Sequence, residues 1–74
     1  MSILPILTTR VIIHKLMRAG FQFIYAKGSH YYFQHSISKR ITSVPVHGSK
    51  SIGRGLLNKI IKQAGLSIKE FLKL

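Results

Sequence analysis

Between Arg18 and Phe21 the spacing of apolar residues changes from helical to alternating, and it changes back only after Pro45. Before the switch, in "TTRVIIHKLMRAG", Ile12, Ile13, Leu16 and Met17 recur at the i, i+1, i+4, i+5 spacing of a buried helical stripe. His14, Lys15 and Arg18 fall on its wet side, Thr8 or Thr9 can cap the start, and Gly20 suits a left-handed stop. After the switch, "FQFIYA" places Phe21, Phe23 and Tyr25 on one strand face, and "KGS" is a turn signal. "HYYFQH" follows, with Tyr31 and Phe33 on one face and His30, Tyr32 and Gln34 on the other. "SISKR" turns the chain again without the Gly or Asn of the best hairpins, and "ITSVPV" is a third strand. Pro45 has no amide hydrogen to give a ladder, so this strand belongs at a sheet edge or ends near that residue. Beyond the basic glycine loop "HGSKSIGRG", Leu56, Leu57, Ile60, Ile61 and Ala64 form a second helical stripe that Gly65 closes, opposed by Asn58, Lys59, Lys62 and Gln63. Ser67 and Glu70 then make an S-x-x-E capping box for a last short turn with Phe71 and Leu72. The order α-β-β-β-α predicts an α+β fold, a three-stranded antiparallel sheet with the helices on one face, in one domain spanning residues 1–74.

Charge narrows the partner. Twelve Lys and Arg face a single acidic side chain, Glu70, for a formal charge of +11. Such an excess repels itself in the compact state unless a polyanion or an acidic partner offsets it. The basic residues are scattered along the chain and 46% of it is hydrophobic, which argues for a folded basic surface, not a disordered tail. Nucleic acid is the expected partner. The absence of cysteine excludes disulfides and thiolate metal sites. "MSILPIL" is apolar only briefly, is broken by Pro5 and is far short of a bilayer span, so a chain of the cytoplasm without membrane contact is expected.

The chemistry open to such a chain is restricted by what it lacks. Two-metal nucleases hold their ions with several carboxylates, and one glutamate cannot supply them. His30 and His35 point to opposite strand faces, so they do not form a zinc pair. No metal or other cofactor is therefore expected. RNA offers a metal-free route, because its 2′-hydroxyl is a nucleophile for the adjacent phosphate. A protein need only move protons and stabilise charge on the phosphate, and histidine titrates in the right range for the first task. His30 is the candidate, against the plainer reading of a half-exposed strand residue. Lys27 and Ser29, in the turn before it, are placed to orient it or touch the backbone. Tyr32 could stack a base. Lys50 and Arg54, with the amides at the following helix start, make a plausible phosphate site. His35 is read as a core-facing residue bonded to the backbone, His14 as a surface helix residue and His47 as part of a turn.

Taken in order, "AGF", "KGSHYYF", "ITSVPVH" and "GLLNKIIKQAGLSIKEF" resemble the HicA toxins, the RNA-cleaving members of HicA–HicB toxin–antitoxin pairs, from about Leu4 to Phe71. The resemblance implies a fold like a double-stranded-RNA-binding domain, in agreement with the pattern above. It also implies a metal-independent mRNA interferase whose catalytic residue is the histidine of Gly28-Ser29-His30, and a HicB-like antitoxin that binds the toxin and masks it. The alternative is a non-catalytic basic RNA-binding module of the same fold.

Overall fold

In a computed structural model the described residues are 4–46 and 51–74. Along the chain run β1 (Leu7–Thr8), α1 (Thr9–Arg18), β2 (Phe21–Lys27), β3 (His30–His35), β4 (Ile41–Pro45), β5 (Ser51–Ile52), α2 (Arg54–Ala64) and α3 (Ile68–Leu72). Strands β2, β3 and β4 form an antiparallel sheet in that order, and β1 pairs with β5 as a separate two-stranded ribbon. The expected α+β architecture is present, and the ribbon is an addition to it. Two-residue strands carry no readable period, and the ribbon exists because tertiary folding brings Leu7 opposite Ile52 and Thr8 opposite Ser51.

The helical stripes and one sheet face form a single core. Ile12 and Leu16 of α1, Leu57, Ile60, Ile61 and Ala64 of α2 and Phe71 of α3 are buried together with Phe21, Phe33 and Val44 of the sheet. The opposite sheet face stays open: Tyr25 and Ile41 are exposed and Tyr32 is half-buried. Met17, placed in the α1 stripe by spacing, is 56% exposed, so the stripe is narrower than its period suggested.

One strand departs from its expected alternation. Phe23 pairs with Phe33 but Tyr25 pairs with Tyr32, so Ile24 is the extra residue of a β-bulge. An inserted residue reverses the facing of everything beyond it. Tyr25 therefore leaves the face of Phe21 and Phe23 and lies on the open side, stacked on Tyr32 with centroids 4.6 Å apart and planes 12° from parallel.

The ends of the elements follow local chemistry. Thr8 caps α1, its hydroxyl accepting from the Val11 amide at 3.3 Å. Gly20, at φ 102°, lets the chain pass from α1 into β2, and a Cβ there would lie 2.9 Å from His35 Nε2. His35 itself is structural. The Ile37 and Ser38 amides donate to its Nδ1, both at 3.1 Å, so Nε2 carries the proton and donates to the Ala19 carbonyl at 3.0 Å. That ring supports the β3–β4 connection, where Lys39 takes the left-handed conformation (φ 65°) usually left to Gly or Asn. The turn without Gly or Asn is thus held by a histidine from the strand before it.

Gly65 closes α2 in the left-handed conformation, and the Ser67–Glu70 capping box opens α3. The Ser67 amide donates to Glu70 Oε1 at 2.9 Å, and the Glu70 amide donates to the Ser67 hydroxyl at 3.0 Å. The Ser67 amide, helped by the Ser67 side chain, holds the Glu70 carboxyl below its ordinary value of 4.5. A carboxyl with a depressed folded value stabilises the fold above its unfolded value and loses that contribution as pH falls through the folded one. Thermal melts from pH 6 down to pH 3 should show a small acid-side loss in the parent that Glu70→Gln lacks. Parallel melting curves for the two would contradict the assignment.

Candidate active site

His30 begins β3 immediately after the two-residue turn Gly28-Ser29, where Gly28 alone has a positive φ, at 59°. That is the sign pattern of a hairpin turn with glycine in its first position. The turn is fixed from a second side, because the Val46 amide donates to the Ser29 carbonyl at 2.6 Å. This bond continues the β3–β4 contact past Pro45, where β4 ends on the sheet edge as its missing amide hydrogen requires. His30 lies between Lys27 on β2 and Pro45 on β4. Thr9, buried at the start of α1, donates its hydroxyl to the Pro45 carbonyl at 3.4 Å and ties that helix to the same corner.

The His30 side chain is exposed, and among the described residues it has no hydrogen-bond partner. It lines a groove of about 360 Å³. Thr9, Ser43, Pro45 and Ser51 line it with His30, and α2 supplies the far wall through Leu56, Lys59, Ile60 and Gln63. Those four residues fall at i, i+3, i+4 and i+7, one face of the helix. The Thr42 hydroxyl, fully buried, is 3.2 Å from both the Ile60 carbonyl and Gln63 Oε1, which sets the lie of α2 against β4.

The other residues singled out in the sequence distribute unevenly. Lys27 is exposed and opposite His30, and Ser29 is in the turn before it. Tyr32 is two residues along β3 on the same face, but it rests against Tyr25 and does not line the groove. Arg54 does not line it either: its Nε donates to the Leu4 carbonyl at 2.6 Å, so part of its guanidinium anchors the segment before β1. Lys50 lies outside the described residues, as does His47. Conversely, Lys59 and Gln63 face the groove although the helical pattern had marked them only as the polar side of α2. The one sequence signal for them was their spacing from Leu56 and Ile60. Among the described residues no three His, Asp or Glu side chains gather as metal ligands would, and the chain's one carboxylate side chain is engaged in the α3 capping box.

Fold and groove together define a class: a small basic α+β domain of the double-stranded-RNA-binding type, with an exposed imidazole lining a cleft. The chain belongs to the HicA toxin family. The family described as "HicA toxin of bacterial toxin-antitoxin" matches residues 9–66. A relative in Pseudomonas fluorescens (strain Pf0-1), named "Probable mRNA interferase HicA", is 43% identical over 51 residues, which cover 69% of this chain and 82% of that relative. Among the described residues no helix is long and apolar enough to cross a membrane.

Proposed function

We propose that this chain is the toxin of a type II toxin–antitoxin system, an endoribonuclease that cleaves single-stranded mRNA in the cytoplasm by metal-independent acid–base chemistry at His30. The observation that carries the reading is the exposed imidazole, without a hydrogen-bond partner among the described residues, on a groove whose opposite wall presents a lysine. Membership of the toxin family and the interferase name of the relative support it.

In this mechanism the 2′-oxygen loses its proton and bonds to the adjacent phosphorus while the bond from phosphorus to the 5′-oxygen breaks. The leaving oxygen takes up a proton, and the products end in a 2′,3′-cyclic phosphate and a 5′-hydroxyl. His30 supplies one of the two proton transfers. Lys27 and Ser29 flank it and contact the sugar–phosphate chain, and Tyr32 offers a stacking surface extended by Tyr25. Lys50 and the guanidinium N–H groups of Arg54 not given to Leu4 add phosphate contacts. A HicB-like antitoxin with an acidic binding surface covers His30, matching a net charge of +11.

Substrate chemistry tests this without any protein variant. An RNA oligonucleotide should be cut in excess EDTA, leave a 2′,3′-cyclic phosphate, and resist cutting wherever the attacking sugar is replaced by 2′-deoxyribose. Loss of cleavage in EDTA, or cutting at a 2′-deoxy position, would overturn the mechanism.

A further inference from the structure

We propose that the groove is a subsite for one unpaired nucleotide at the point of cleavage, with the Lys59 ammonium on the scissile phosphate opposite the His30 imidazole. This inference rests on the ribonuclease reading above. Lys59 is the groove's only lysine or arginine among the described lining residues, and it enters from α2 while His30 enters from β3.

Two other basic groups are committed elsewhere. Lys15 Nζ donates to the Leu72 and Leu74 carbonyls at 3.3 and 3.0 Å and sits over the Phe71 ring. Arg54 Nε is held by the Leu4 carbonyl. Lys59 is exposed and, among the described residues, has no hydrogen-bond or ion-pair partner. No other carboxylate side chain exists to compete for it, since the one acidic residue, Glu70, is engaged in the α3 capping box.

Negative charge grows on the phosphate as the 2′-oxygen attacks, and a fixed cation there stabilises the transition state more than the ground state. That is the task a metal ion performs in carboxylate-rich nucleases. The rest of the groove suits the nucleotide itself. Pro45, Ile52 and Leu56 offer apolar surface for a base, and Ser43, Ser51 and Gln63 offer hydrogen-bonding groups for its edge or the ribose. A base can enter such a cleft only when it is unstacked and unpaired.

Three variants separate the possibilities. At saturating RNA, Lys59→Gln should slow cleavage by roughly 10²-fold, the usual loss on removing one preorganised group from a transition-state charge. Lys59→Arg should recover part of the rate, and Lys69→Gln, a surface change of the same charge on α3 away from the groove, should stay within about twofold of the parent. In a His30→Ala background, which leaves RNA intact, binding of a trinucleotide should lose about 0.7 from its log–log salt slope on Lys59→Gln. Far-ultraviolet circular dichroism melts confirm that each variant is folded. A folded Lys59→Gln chain that cleaves like the parent overturns the Lys59 assignment while leaving His30 in place. Cleavage by His30→Ala overturns the underlying reading instead. Equal cutting of the target step inside a duplex overturns the unpaired-nucleotide subsite.

Discussion

His30→Ala is expected to lower RNA cleavage by about 10²–10⁴-fold, the usual worth of one positioned acid–base group, with fold and RNA affinity retained. Retention follows from the surroundings. The side chain is exposed, no described residue bonds to it, and its strand is held by backbone pairing to Lys27 and Pro45. Binding is a sum over many cations, so one ring contributes little to it. Cleavage kinetics beside fluorescence-anisotropy binding measure both quantities on the same preparation. Equal cleavage by the two proteins would identify the molecule as an RNA-binding module without catalysis at this residue. The contrast with His35, five positions on, shows why type alone is not diagnostic. That imidazole secures the β3–β4 turn through Nδ1, binds the Ala19 carbonyl at the end of α1 through Nε2, and packs edge-on against Phe21, with centroids 5.2 Å apart.

Phe33→Ala should unfold most of the population. Phe33 is 2% exposed, at the centre of β3, and its ring packs edge-on with Phe23 across the sheet. Truncating a buried phenylalanine costs about 3–5 kcal/mol through lost transfer energy and the cavity left behind. A domain of this size rarely draws more than about 3–5 kcal/mol from its single core. The two figures are comparable, so no reserve remains. Urea titration followed by circular dichroism should give a midpoint near zero denaturant, and a loss below about 1 kcal/mol would show that the core repacks around the gap. Because Phe33 and His30 lie on opposite faces of one strand, the same substitution removes the site's scaffold. Loss of activity in this variant therefore accompanies loss of circular dichroism signal, whereas in His30→Ala it does not.

Most of the fold was legible because its signals are local and periodic. The α1 and α2 stripes, the Thr8 cap, Gly20, the left-handed Gly65 and the Ser67–Glu70 box are each set by residues within one or two turns of one another. Pro45 marked both the edge and the end of β4, since a missing amide hydrogen has the same consequence in any context. The bulge at Ile24 was not legible. Its "FQFIYA" segment puts aromatic residues at 21, 23 and 25, as a regular strand would, and only pairing with β3 reveals the extra residue. Arg54 and Lys59 were equally opaque. Both are cations on α2, yet one is turned to the Leu4 carbonyl and the other to the groove.

From the residues alone came the apolar faces, the order of elements, the positive surface and the motif that places His30 after a glycine turn. These depend on covalent neighbours and on burial of regularly spaced side chains. Only the tertiary structure decided which groups share the groove with that imidazole. Such company is set by strand register and by the rotation of α2 against β4. One bulged residue or a fraction of a helical turn changes it while leaving the sequence period intact.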